Sequence, residues 1–420
     1  MIQSLAALFS LPDLRKKLFW TLGLIIVFRL GVHIPVPGVD NAAILSRFGA
    51  EGLLGFLDLF TGGALVRFSI FALGIIPYIN ASIILQLLQV VIPQLEEMRK
   101  EDEDGRKKLA QYTRYLTVFL AAFQSVGMAF FFRSFLLPEY SFTLFLVSTV
   151  VTLTAGAMLV MWLGEVITDR GIGNGASLLI FIGIVARIPA YVSRTVQLVQ
   201  GGASLFGVLV VLAVFAAMII GIVIIQEGQR RVPVQYAKRV VGRKVYGGQS
   251  TYIPLRINQG GVLPIIFASS VLLFPATMAQ FVPIGFLQGF AHWFSPSSPP
   301  YMVAFFLMIL FFTYFYTALT FNPNEVADNI KKYGGFISGI RPGKPTADYL
   351  EFVITRITLV GAIFLACIAV VPVVVESATR ITSFQGLGGT ALLIVVGVGL
   401  DLVRQIEAQL LTRQYERLLA

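Results

Sequence analysis

Apolar stretches of about 20 residues, enough to cross ~30 Å of hydrocarbon as a helix, recur along this whole 420-residue chain. Hydrocarbon offers a backbone no water to bond, so each stretch must close its hydrogen bonds on itself as a helix. Read this way, the sequence predicts ten spans, at 18–34, 70–92, 115–137, 143–164, 174–193, 205–226, 260–283, 301–321, 353–375 and 387–406. Arg187 and Pro189 interrupt the end of the fifth. Composition agrees: 13% of the residues are charged, against about 25% in soluble domains. The expected fold class is an all-α polytopic membrane protein.

Basic residues then set the orientation. Lys and Arg number 24 on one side, in the segment 1–17, the loops near 93–114, 165–174, 227–259 and 322–350, and the C-terminal tail counted from Arg404. The opposite side holds six, Arg47, Arg67, Arg133, Arg187, Arg194 and Arg380. Because Lys and Arg are retained on the cytoplasmic side, both termini are expected there. The opening residues "MIQSLAALFSLPDLRKKLFW" do not read as a cleavable signal, since the basic residues follow the apolar run. Ten spans divide into five at 18–193 and five at 205–406. An odd number per half makes two repeats inverted relative to each other, with a pathway expected between them.

Several chemistries are disfavoured. A single cysteine and two histidines leave no disulfide framework and no His/Cys metal cluster. His33 and His292, both on the outer side, sit in no nucleophile–base arrangement, so no enzyme is expected. Without a Walker-type loop, any energy source must come from a partner. "GIGNG" at 171–175 reads as a tight turn entering the fifth span. No Asp or Glu falls in the centre of a span, where a coupled carrier keeps a cation-binding carboxylate. That weighs against the runner-up reading, a secondary transporter of inverted five-helix repeats. Arg29, inside the first span, is assigned structural duty.

Two cytoplasmic loops are long and basic. "EGQRRVPVQYAKRVVGRKVYGGQSTYIPLRINQGG" carries seven Lys/Arg against one acid, with Tyr236, Tyr246, Tyr252 and Val pairs that suit a short hairpin. "NPNEVADNIKKYGGFISGIRPGKPTADYLE" brackets Arg341 with glycines. Topology needs only a few charges, and long ordered loops more often carry function. Such a surface suits an acidic partner such as RNA or an acidic protein face. "EEMRKEDEDGRKK" mixes both signs and reads as a solvated helix–helix connection. "EGLLGFLDLFTGGAL" is too short to span. Its apolar face, Leu53, Leu54, Phe56, Leu57, Leu59 and Phe60, either lies at the interface or folds back into a cavity, with Gly62-Gly63 as a hinge.

The stretches "FRLGVHIPVPGVD", "ALGIIPYINASIILQLLQVV", "QYTRY", "MWLGEVITDRGIGNG", "GQRRVPVQYAKR", "STYIPLRINQGGVLPIIFASS", "YTALTFNPNEVADN" and "GIRPG", in this order, resemble the SecY family of protein-conducting channels. The resemblance implies a ten-helix clamshell hinged between the fifth and sixth helices, with an hourglass pore. It implies a pore ring at Ile75, Ile79, Ile180, Ile266 and Ile394, with a sixth position on Ala176, where a larger apolar residue is common in the family. It makes residues 53–63 a plug, carried by Leu54, Phe56, Leu57, Asp58, Phe60, Gly62 and Gly63. A lateral gate faces the seventh helix, with Asn80, Gln86, Asn258 and Ser270 as a polar seam of bonds worth ~0.6–2 kcal/mol each. Pro77 is compatible with distortion of the gate helix. Arg243, Lys244 and Arg341 fall where the ribosome or the SecA motor engages the channel. SecE, commonly SecG, signal peptides and nascent polypeptides are the further implied partners, in the cytoplasmic (inner) membrane, without cofactors. A membrane scaffold or insertase without a pore is the third reading.

Overall fold

The ten expected spans all correspond to helices in the structure, a computed structural model describing residues 12–47, 58, 60–100, 103–202, 204–236, 239–241, 244–246, 250–281, 298–379 and 388–419. In chain order these are α1 (Pro12–Gly31), a short α2 (Asn41–Arg47), α3 (Ile76–Val91), α4 (Pro93–Lys100), α5 (Glu103–Phe131), α6 (Phe142–Arg170), α7 (Gly175–Val185) and α8 (Ile188–Gln200). There follow α9 (Leu205–Glu227), strands β1 (Gln229–Tyr236), β2 (Arg239–Val241), β3 (Lys244–Tyr246) and β4 (Ser250–Arg256), then α10 (Leu263–Phe281). The chain continues through α11 (Pro299–Thr320), α12 (Pro323–Lys332), β5 (Gly335–Phe336), α13 (Lys344–Thr379) and α14 (Gly389–Leu419). Among the described residues seven helical stretches are both long and apolar enough to cross a bilayer, α7 with α8 counting as one. The remaining three expected spans correspond to α1, whose first turns carry Asp13, Arg15, Lys16 and Lys17, and to α3 and α10.

Packing order repeats between the halves. In the first, α3 packs on α5, α5 on α6 and α6 on α7, with α1 against α6 and α7. In the second, α10 packs on α11, α11 on α13 and α13 on α14, with α9 against α13 and α14. Two seams join the halves: α7 against α14, and α10 against α3 and α5.

The second span differs from its sequence expectation. Residues 62–75 run as turns, with one bridge at Ser69, and α3 begins only at Ile76. Pro77 therefore sits in the first turn of the helix, where its missing N–H would have had no partner anyway; it starts the helix and does not distort its middle. The turns are held by short pairings with the end of the first span, Val36 N to Phe68 O at 2.9 Å and Ile70 N to Ile34 O at 2.9 Å. At its other end α3 stops at Ile92, and α4 leaves at 108° to it as part of the charged connection. The fifth span breaks after Val185, and Pro189 opens α8. "GIGNG" makes the expected turn: Asn174 Oδ1 caps α7 by accepting from Ser177 N at 3.2 Å. A Cβ on Gly175 would lie 1.9 Å from Gly164 O, so only glycine allows α6 and α7 to approach this closely.

Both basic loops fold. β1 pairs antiparallel with β4, Val232 opposite Ile253, and β5 adds to the other edge of β1, Gln235 opposite Phe336. β2 and β3 form the hairpin that the Val pairs suggested. Beneath the larger sheet Val232, Val234, Leu255, Ile330, Ile337, Leu350 and Ile354 bury one apolar cluster. The two loops are thus one module, rooted on α13.

Candidate functional site

Four helices from both halves bring their isoleucines to the seams. Ile75 stands at the start of α3 and Ile79 one turn on, Ile180 on α7, Ile266 on α10 and Ile394 on α14. None is more than 7% exposed, and all five belong to one contiguous apolar cluster. Ala176 packs against that cluster, half-buried. Ile75 and Ala176 both face Gly164 of α6, at 3.4 Å (Cδ1) and 3.6 Å (N) from where its Cβ would stand.

Beside this cluster lies the turn running from Asp58 to Val66. Asp58 is fully buried. Its Oδ1 accepts from Leu65 N at 2.9 Å, Val66 N at 3.0 Å and Thr61 Oγ1 at 3.3 Å. Its Oδ2 pairs with Arg187 Nη1, at the break between α7 and α8. Arg29 of α1 donates to Gly62 O at 2.9 Å, the structural duty expected of it. Gly62 has φ +67°, and its Cβ would stand 2.8 Å from Gly183 Cα. Gly62 is therefore packed closely against α7, while Gly63 beside it, at φ +96°, has open space where a Cβ would stand. Of the other outer-segment positions Phe60 and Gly63 are described, Phe60 buried; Leu54, Phe56 and Leu57 lie outside the described residues.

Polar side chains mark the seam between α3 and α10. Asn80, Asn258 and Ser270 are buried and Gln86 half-buried. The hydrogen bonds of the two amides Gln86 and Asn258 are local. Gln86 Nε2 donates to Ser82 Oγ at 3.1 Å, one turn back on α3, and Asn258 Nδ2 to Gly261 O at 2.7 Å. Gln86 Oε1 and Asn258 Oδ1 are buried and accept no hydrogen bond from any described residue. Three of the four residues are buried and Gln86 half-buried, and the two amides Gln86 and Asn258 bond locally and not across the seam.

In the module formed by the two basic loops Arg341 is exposed, on a loop whose Gly339 and Gly343 take φ +83° and +101°. Thr346 Oγ1 donates to Arg341 O at 2.9 Å, fixing its backbone. With Lys331, Phe336 and Ile340 it lines a cleft of about 550 Å³. Lys244 begins β3, and Arg243 lies outside the described residues.

The SecY family model matches residues 69–403. The chain belongs to the SecY family. It is 49% identical to the protein translocase subunit SecY of Streptomyces scabiei, over 99% of each chain. Its fold is similar to a SecY channel solved for the role of its plug domain in the closed state and the membrane seal, with TM-score 0.67 and 16% identity over 94% of this chain and 92% of that one. It is also similar to Sec61 in a canine ribosome–channel complex, with TM-score 0.61 and 15% identity over 94% and 92%.

Sequence reasoning missed two features that matter to a SecY-type reading. One is the Asp58–Arg187 pair, whose signal was a lone acid and a lone base, each inside an apolar stretch on the same side of the membrane. The other is the joining of the two basic loops by β5, a strand of two residues that no periodicity announces.

Proposed function

We propose that this protein is a protein-conducting channel that passes unfolded polypeptides across the cytoplasmic membrane and releases hydrophobic segments sideways into lipid. The observation that supports it is the buried apolar cluster in which both halves meet, Ile75, Ile79 and Ile180 from one and Ile266 and Ile394 from the other. A narrow apolar constriction dewets and blocks ions when idle, while branched side chains move aside for a peptide and offer it no hydrogen bonds. Membership of the SecY family supports the same reading, and a carrier's midplane carboxylate is missing from the sequence.

In this reading Ile75, Ile79, Ala176, Ile180, Ile266 and Ile394 form the pore ring, the first half runs over 18–193 and the second over 205–406. The segment 53–63 seals the outer side, α3 and α10 part as the lateral gate, and the cytoplasmic module with Arg243, Lys244 and Arg341 receives the ribosome or a motor such as SecA. The ribosome-bound Sec61 relative supports the ribosome as partner; SecE and SecG are proposed as companion subunits. The distribution of Lys and Arg supports cytoplasmic termini in an inner membrane. The test is ion conductance in planar bilayers. The intact protein is expected to be silent at rest and a variant lacking 53–63 to leak; equal silence of both would remove the pore mechanism.

A further inference from the structure

The charge pair at the root of the outer turn is unused by conduction through an apolar ring, yet it is among the most deeply buried polar contacts of the molecule. We propose, building on the channel reading above, that Asp58 and Arg187 form a gating latch: the pore stays sealed while they are paired and opens when they part.

The geometry carries this in three steps. One carboxylate oxygen of Asp58 folds the turn upon itself through the amides of Leu65 and Val66, so Asp58 to Val66 move as a unit. The other oxygen ties that unit to Arg187 at the break of the fifth span, and Arg29 ties Gly62 to α1. The tied elements also supply the first half's share of the apolar cluster: α7 carries Ala176 and Ile180, while the chain leaving the turn leads to Ile75 and Ile79. Parting the pair frees the turn from the wall it rests on.

A charge pair switches where an apolar contact would merely loosen. Asp58 is fully buried and the Arg187 side chain 16% exposed. In dry surroundings two opposite charges attract many times more strongly than in water, and separating them leaves each uncompensated. Both therefore stay together until water arrives. Once a translocating segment wets the pore, the attraction collapses and each ion is solvated. Wetting and release reinforce each other, which gives two states and little between them.

Arg187 reaches the carboxylate through one guanidinium nitrogen, so a lysine can retain the contact. The experiment measures resting conductance of the full-length protein in planar bilayers for Asp58→Asn, Arg187→Gln, the double variant, Arg187→Lys and the variant lacking 53–63. Each single neutralisation is expected to raise resting conductance at least tenfold (~1.4 kcal/mol), because it leaves a lone buried ion. The double variant is expected to leak less than the product of the two singles, and Arg187→Lys to remain near the intact protein. Two silent neutralised variants beside a leaking deletion would overturn the latch and leave the channel standing. A double variant equal to the product would show two independent sites, also overturning it. Silence of the deletion itself would remove the channel reading and the latch with it. Unfolding midpoints in detergent separate gating from damage: a lowered midpoint without a leak assigns the pair to folding alone and overturns the proposal.

Discussion

The outer turn and the lateral seam both place polar side chains in an apolar interior, and they satisfy them to opposite degrees. In the turn a single carboxylate takes up two backbone amides, a hydroxyl and a guanidinium. In the seam Gln86 Oε1 and Asn258 Oδ1 are buried without a donor among the described residues. A fully satisfied buried network rigidifies its surroundings, and a partly satisfied one is costly, at about 1–3 kcal/mol for each orphaned group. The turn holds one arrangement for as long as these contacts are all made. The seam carries a standing penalty that parting relieves, because an amide exposed to water or to a peptide backbone finds its donor. One molecule thus holds a fully satisfied polar turn and a partly satisfied polar seam.

The contrast can be attacked from its strong side first. Gly62→Ala combines a left-handed backbone, at about 1–2 kcal/mol, with a Cβ only 2.8 Å from Gly183 Cα, backbone that cannot step aside. A loss of roughly 3 kcal/mol is expected in detergent unfolding, together with a raised resting conductance; a variant indistinguishable from the intact protein would mean the turn is not pinned. Thr61→Val keeps the shape but removes the hydroxyl that touches Asp58 and accepts from Leu65 N. Since Leu65 N keeps its bond to Asp58, about 1 kcal/mol should be lost. Gln86→Leu has the opposite sign. It deletes an orphaned acceptor at the expense of one bond to Ser82, so the unfolding midpoint should hold or rise, by up to about 1 kcal/mol. A loss at position 86 as large as that at 61 would erase the distinction between the two regions.

The helices were legible because the bilayer leaves a chain few choices: an apolar run must become a helix, and the Lys/Arg bias orients the set. "GIGNG" was legible too, since Asn before a glycine-led apolar run is a cap with a mechanism. What could not be read lies where local signals are ambiguous or partners are distant. Pro77 in an apolar run looks like a kink, and only the turns over 62–75 reveal it as a helix start. Asp58 and Arg187 stand 129 residues apart, and no periodicity links them. The seam amides were expected to bond across to the opposite helix, but such bonds depend on rotamers, and Gln86 donates to Ser82 on its own helix. Of the site, the isoleucine cluster was reached through the family resemblance; buried isoleucines in membrane helices would otherwise read as packing.

The sheet that joins β4, β1 and β5 has a mechanical consequence. Its apolar underside includes Leu350 and Ile354, which belong to α13, a helix of 36 residues and therefore about 54 Å long. A force applied near Arg341 is not absorbed by a floppy loop. It passes through the sheet into a helix that carries Pro372 near its far end and packs against α9, α11 and α14, so a load on the module is shared by the helices of the second half.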